Sequence, residues 1–327
     1  MEKSGIGDDR RVIEPLDHEL IDAGAGRRLD RFANRLVDRP APGATMPPQD
    51  RASWLAADFR YTRGGWFRGP GLDSPRVTDE PTWRVGMGGL QFGLGLRPSG
   101  QVGLFPEHAL TLPWLLEQVR VIARLSDPAA RPGAGHGEPV HVLNLFAHTG
   151  LATLAFAAAG AAVAHVDASR PGVAQARRNA ESSGLGTSPI RWIVDDAIAF
   201  AERERRRGRT YQGIVVDPPA YGHSGTRTWR LEDRLGELIR IVDGLLDPAG
   251  GFVLVTAHST GITPEDLAGA LRAGITRPGS ERAGDGIGMG RLEIEARSGV
   301  RLDGGVYARF GSTATTDVGD PTMQDGG

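Results

Sequence analysis

From residue 140 onward, short apolar runs alternate with longer stretches in which apolar positions recur every three or four residues. Val140 to Phe146 has the continuous apolar pattern of a buried strand, and the turn Ala147-His148-Thr149-Gly150 leads into an alanine-rich helix from Leu151 to Ala159. Ala162 to Val166 predicts a second strand closed by Asp167, and Pro171 stands near the first turn of a helix that runs to Ser183. Ile190 to Val194 predicts a third strand, ending in Asp195-Asp196. A fourth, β-branched run begins near Tyr211 and stops at Asp217-Pro218-Pro219, because proline has no N–H for the ladder. Leu231 to Leu246 is a helix pattern, Gly250-Gly251 a break, and Phe252 to Val255 a fifth buried strand. Thr263-Pro264-Glu265-Asp266 opens another helix with a cap and a first-turn proline. Arg291 to Ala296 and Val306 to Phe310 alternate, predicting a terminal antiparallel pair.

Residues 1–105 read differently. Leu20 to Leu29 suggests strand, glycine turn and strand, Leu90 to Leu96 another strand, and Arg39 to Gly43 a loop. A small β-rich accessory domain is expected there, with Trp54, Trp66 and Trp83 read as packing residues. The link to the rest is a helix over Thr111 to Leu125, whose Leu112, Leu115, Val119, Ile122 and Leu125 share one face. A Pro- and Gly-rich loop, Ser126 to Pro139, follows it. The expected division is 1–105 accessory, 106–311 main domain and 312–327 a polar, disordered tail.

With 39% hydrophobic residues in 327, two ordinary cores are affordable in composition. No apolar stretch approaches 18 uninterrupted residues and the first nine lack a signal-peptide core, so a cytoplasmic protein is expected. The absence of cysteine excludes disulfides, thiolate metal sites and thiol nucleophiles. No His, Asp or Glu pair has metal-ligand spacing, and no metal is expected. A net charge of −2 argues against strong nonspecific nucleic-acid binding, although Arg27, Arg28, Arg31, Arg35 and Arg39 suggest a local basic patch. Arg227 and Arg230 follow the proline loop, and the charge run Glu202 to Arg209 reads as a solvated helix end.

Ligands of open α/β sheets bind at the carboxyl ends of the strands, where this chain repeatedly places a polar group. Asp167 lies 23 positions after Asn144, close to the spacing at which an acid meets a ribose hydroxyl. Asp217, the carbonyls of Pro218 and Pro219, and the ring of Tyr221 form a stiff rim suited to a flat group that donates hydrogens.

Together, Phe146 to Gly150, Asp167, Asp195-Asp196-Ala197 and Asp217 to Tyr221 resemble the motifs of class I S-adenosylmethionine-dependent methyltransferases, more narrowly the ribosomal RNA large-subunit methyltransferase I/K-like group. The resemblance is strong over about 120 residues, 140 to 260, and extends weakly upstream through Gly103 to His108. It implies a Rossmann-like doubly wound methyltransferase sheet, mostly parallel with an antiparallel last strand, beside the small β-rich N-terminal domain. It also implies S-adenosyl-L-methionine as cofactor, with Phe146, Thr149 and Gly150 at its methionine part, Asp167 at the ribose, and Asp196 and Ala197 at the adenine edge. Asp217, Pro218, Pro219 and Tyr221 are the implied catalytic residues, and ribosomal RNA the implied partner.

One departure matters. C5-type relatives carry a cysteine after the fifth strand, where this chain has His258 at about that place, and C5 methylation of cytosine needs a thiolate adduct. A base nitrogen is the expected acceptor. His148, His223 and His258 all fall on carboxyl-end loops, and the sequence does not choose among them for acid–base work. A protein or small-molecule methyltransferase and an idle cofactor- or RNA-binding module stay open as alternatives. A nicotinamide dehydrogenase is disfavoured by the single glycine in the first turn.

Overall fold

The computed structural model describes residues 15–70, 74–79, 81–126, 138–224, 227–259, 261–276 and 286–311, with the side chains of 221–229 outside the description. The expected disordered tail, 312–327, lies outside the described residues.

The N-terminal part is built from β1 (His18–Gly24), β2 (Arg27–Phe32), β3 (Arg35–Pro40), the short helix α1 (Arg51–Trp54), β4 (Phe59–Thr62) and β5 (Gly65–Arg68). These strands form one sheet in chain order, and β6 (Thr82–Met87) pairs with β7 (Leu90–Gly95) beside it. The β1–β2 turn holds Ala25 at φ 51° and Gly26 at φ 76°, the left-handed pair that a two-residue hairpin needs. A 3-10 turn (Pro106–Thr111) and α2 (Leu112–Ser126) lead into the second part.

There β8 (His141–Leu145), α3 (Leu151–Ala158), β9 (Ala162–Asp167), α4 (Arg170–Ser182), β10 (Ile190–Val194), α5 (Ala197–Arg206) and β11 (Gly213–Val216) alternate. A small hairpin, β12 (Tyr221–Ser224) and β13 (Arg227–Arg230), precedes α6 (Leu231–Leu245), β14 (Phe252–Ala257), α7 (Pro264–Gly274), β15 (Gly288–Glu295) and β16 (Arg301–Phe310). The seven-stranded sheet has the order β10-β9-β8-β11-β14-β16-β15. Five strands run parallel, and β16 is antiparallel to both β14 and β15. The chain winds outward from β8 through β9 and β10, then returns to start again at β11. The crevice between the ends of β8 and β11 is therefore the switch point of the sheet, where ligands bind in this architecture.

Val142, Leu143 and Leu145 are fully buried because helices cover both faces of β8. Gly213 is required where β11 meets β14, since a Cβ there would lie 2.2 Å from the Phe252 ring. The α7 start carries the full reciprocal cap, Thr263 to the Asp266 N–H and Asp266 back to the Thr263 N–H. Phe32, Val37, Phe59 and Trp66 from the N-terminal sheet belong to the same buried cluster as Leu115, Val142, Phe156, Val215 and Phe252. One apolar interior thus runs from the N-terminal strands to one face of the large sheet.

The arginines expected to form a basic patch are engaged. Arg28 and Arg39, register partners on β2 and β3, both donate to the fully buried Asp30, at 2.8 Å each, and Arg28 also lies 3.5 Å from Glu107. Arg27 donates to Asp38, Arg31 to Glu19, and Arg35 stands 3.6 Å from Asp58. Burial opposes charge on Asp30, but Arg28 and Arg39 outweigh it and hold its carboxyl far below the usual range. Antiparallel pairing sets Arg31 opposite Glu19 and carries Arg39 beside Asp30, contacts that linear spacing does not reveal. The tryptophans pack: Trp54 donates to Asp22, Trp66 to the Arg97 carbonyl, and Trp83 stacks on Phe59.

Candidate active site

The turn after β8 is strained. Phe146 has φ 58°, His148 φ 47° and Gly150 φ 91°, and each non-glycine residue held left-handed costs roughly 1–2 kcal/mol. Asp167 holds the turn in place, its Oδ2 accepting the His148 N–H at 2.8 Å and its Oδ1 the Ser169 N–H at 2.7 Å. Glycine is favoured at 150, because its φ of 91° strains an L side chain and a Cβ would sit 3.0 Å from the Ala176 Cβ and 3.1 Å from Leu154. Thr149 is buried, and its hydroxyl donates to the Gly103 carbonyl at 2.7 Å, which ties the turn to the segment entering the 3-10 helix.

Asp196 caps α5, its Oδ1 accepting the Ala199 N–H at 2.8 Å, and Ala197 is buried beneath it. Asp195 is held by Arg203 and by the Asp196 N–H. Within β9, His165 is fully buried with Nδ1 2.9 Å from the Thr153 hydroxyl, and burial pushes its pKa down to about 3. It is a neutral packing residue.

At the end of β11, Asp217 meets three side chains from elsewhere in the chain. Thr256 donates to Oδ1, His258 Nε2 lies 3.0 Å from the same oxygen, and His108 Nε2 lies 3.3 Å from Oδ2 without the alignment of a hydrogen bond. His258 Nδ1 is also 2.6 Å from the Gly304 carbonyl. Both its ring nitrogens thus face oxygens that accept, which requires a proton on each. Burial works against that charge, but the hydrogen bond and the charge of Asp217 raise the His258 pKa to about 9. For Asp217, burial is likewise outweighed, and His108 and His258 keep its carboxyl well below the usual range. Burial pushes His148 down, and its ring lies 5.2 Å from that of Phe105.

A cleft of about 1000 Å³ runs along these strand ends. Phe146, Asp167, Asp196, Ala197, Asp217, Pro218 and Pro219 line it together, with Pro218 buried and Pro219 exposed. Thr149 and Gly150 line a smaller pocket that shares Phe146, His148 and Asp217 with it. The backbone of Tyr221 opens β12, opposite Arg230, so a hairpin stands where the sequence suggested only a loop; the tyrosine ring lies outside the described residues. The side chains of His223 and Arg227 do too.

Sequence reasoning missed the cleft's other wall, which the N-terminal part supplies through Arg28, Arg39, Gln101, Phe105, Glu107 and His108. A signal was present in Arg28-x-Asp30, an i, i+2 pair on one strand face. Nothing in the spacing of positions 108, 217 and 258 announced their meeting.

No family model matches the chain. Among curated proteins it is similar to the ribosomal RNA large subunit methyltransferase K/L of Methylococcus capsulatus, 31% identical over 172 residues, covering 52% of this chain and 21% of that protein. It is also similar to the ribosomal RNA large subunit methyltransferase I of Aeromonas hydrophila, 30% identical over 135 residues, 41% of this chain and 34% of the other. The chain therefore spans between about a fifth and a third of these relatives' length. Among solved structures, the SAM-dependent methyltransferase from Agrobacterium tumefaciens is 32% identical with a TM-score of 0.75, covering 91% of both chains. A putative SAM-dependent methyltransferase from Streptococcus mutans, 16% identical with a TM-score of 0.64 over 91% of this chain and 76% of that one, shares the fold.

Proposed function

The chain belongs to the S-adenosylmethionine-dependent methyltransferases, and from that premise we propose that it methylates a base nitrogen of ribosomal RNA without a cysteine nucleophile. The cofactor, when bound, supplies a methyl group already activated by the positive charge on sulfur. The residues fit such a ligand. Gly150, where a Cβ would press on Ala176 and Leu154, keeps the turn tight, and Asp167 keeps unused lone pairs after its two backbone bonds. The single-glycine turn suits an adenosyl group, which brings no phosphate to cradle. In this reading Phe146, Thr149 and Gly150 form the methionine end, Asp167 takes the ribose hydroxyls, and Asp196 and Ala197 meet the adenine edge.

The observation that carries the acceptor half is the carboxylate of Asp217 in the cleft wall, whose Oδ1 is taken by Thr256 and His258 while Oδ2 lies 3.3 Å from His108 Nε2 without an aligned hydrogen bond. Held ionised, it accepts an N–H of the acceptor, aligns the nitrogen lone pair, and offsets positive charge that develops on that nitrogen. It is too acidic to retain the proton, which passes on to solvent. The carbonyls of Pro218 and Pro219 offer further fixed acceptors, and Tyr221 is assigned to hold the ring. A base inside a helix has to be unstacked first. The ribosomal assignment draws on the names of the two curated relatives. With a net charge of −2 and paired arginines on the N-terminal sheet, recognition rests on the cleft more than on nonspecific phosphate attraction.

Total RNA from a strain lacking the protein, digested and compared by mass with its parent, tests the reading. Loss of one methylated nucleoside is expected. If none disappears while the purified protein still binds S-adenosylmethionine, the RNA assignment falls, and a protein or small-molecule acceptor, or an idle binding module, takes its place.

A further inference from the structure

We propose that His108, His258 and Asp217 form a binding site for a divalent transition-metal ion of the zinc or ferrous class. One ligand atom from each lies within 4.8 Å of the others. Four observations make this more than a cluster.

The first is the spacing. With bonds of about 2.1 Å, ligand atoms on adjacent positions of one ion stand roughly 3.0–3.4 Å apart, and His258 Nε2 and His108 Nε2 stand 3.0 Å and 3.3 Å from the two oxygens, Oδ1 and Oδ2, of the same carboxylate. The second is ring placement: two imidazoles bound to one ion at such a bond length of about 2.1 Å have ring centres roughly 5 Å apart, and those of His108 and His258 are 5.0 Å apart.

The third is an unmet nitrogen. His108 Nε2 is buried and has no hydrogen-bond partner, although it lies 3.3 Å from the carboxylate. A buried polar atom left in that state is costly, and a metal bond satisfies it. The fourth is the support behind the ligand. His258 Nδ1 faces the Gly304 carbonyl at 2.6 Å, the arrangement that fixes a ligating imidazole with its other nitrogen toward the metal.

Two imidazoles and one carboxylate suit zinc, iron, cobalt or nickel; magnesium and calcium take oxygen ligands instead. Three protein ligands leave coordination positions open, and these face the cleft that also carries Phe146 and Asp167.

The inference stands apart from the methyl-transfer reading because its test uses the metal alone. Untagged full-length protein is treated with chelator, dialysed and titrated with Co²⁺, following visible d–d absorption and calorimetric heat. One equivalent is expected to bind, unaffected by excess Mg²⁺. His108→Gln and His258→Gln should each weaken binding by at least about tenfold, while His141→Gln, on the exposed end of β8, should leave it unchanged. Thermal unfolding verifies that each variant is folded, and Asp217→Asn supplies an independent variant should one histidine change fail. Absence of stoichiometric Co²⁺ binding by the wild type, displacement by Mg²⁺, or equal binding by the folded His variants overturns the site.

Discussion

His258 and Asp217, 41 positions apart in the chain, meet at 3.0 Å across the ends of two neighbouring parallel strands, β14 and β11. The contact occupies Oδ1, and Oδ2 is left beside His108 without an aligned hydrogen bond. Substituting Asp217 by alanine should therefore lower methyl transfer by about two to three orders of magnitude, the loss seen when one preorganised polar contact is removed from a reacting centre. Affinity for S-adenosylmethionine, measured by calorimetry, should stay within a few-fold of wild type. An unchanged single-turnover rate would remove Asp217 from the reaction.

Asp167→Ala should weaken cofactor binding by about 1–3 kcal/mol, the range for losing a buried polar partner. It also frees the His148 and Ser169 N–H groups, so part of the loss comes from loosening the strained turn. Asp167→Asn, which keeps one acceptor oxygen, should lie between wild type and alanine in a calorimetric titration. Equal affinities in all three proteins would reject the ribose assignment.

How much of this was legible beforehand depended on distance along the chain. The five parallel strands could be read because each is a short apolar run closed by a polar residue, as at Asp167 and Asp217. The α7 cap could be read from Thr263 and Asp266 alone. The β12–β13 hairpin could not, since Tyr221-Gly222-His223-Ser224 and Arg227-Thr228-Trp229-Arg230 show no strong apolar alternation. The pairing of Arg39 with Asp30, and the approach of His108 to Asp217, depend on register and winding that no local window contains. For that reason the arginines looked like a surface patch and the histidines like unrelated loop residues.

His165 makes stability fall in mild acid. Buried neutral, it holds its pKa near 3 in the fold against an ordinary value of 6.5, so the unfolded chain binds the proton more readily. Its effect is absent above pH 6.5, grows as pH falls below that value, and levels off near 3. Urea unfolding at successive pH values should show wild type losing up to about 1.4 kcal/mol per pH unit more than His165→Gln in this window. Parallel curves for the two proteins would contradict the assignment.

Gly150→Ala should destabilise the protein by about 1–3 kcal/mol, because alanine at φ 91° is strained and its methyl group meets Ala176 at 3.0 Å. Cofactor affinity should fall with it, as the turn moves to relieve the contact. Thermal unfolding with and without S-adenosylmethionine separates the two effects; a Tm equal to wild type would mean the turn is softer than its geometry indicates.

Arg39→Met should cost about 3–5 kcal/mol, since it leaves the charge of Asp30 buried with one fewer cation. The double change with Asp30→Asn should recover part of that loss in a denaturant titration. Additive losses in the pair would show that the two residues do not stabilise one another.

The shared interior that joins Phe32 and Trp66 to Val142 and Phe252 has a consequence for how the protein comes apart. The large sheet keeps a second buried cluster of its own, including Leu143, Ile214, Val253 and Phe310, whereas Phe32, Val37, Phe59 and Trp66 pack into the shared one, so scission near residue 105 would lay that shared interior open on both pieces. Heating should melt both sheets in a single calorimetric step, and a partner tugging on the N-terminal strands would be felt directly at the wall beside Asp217.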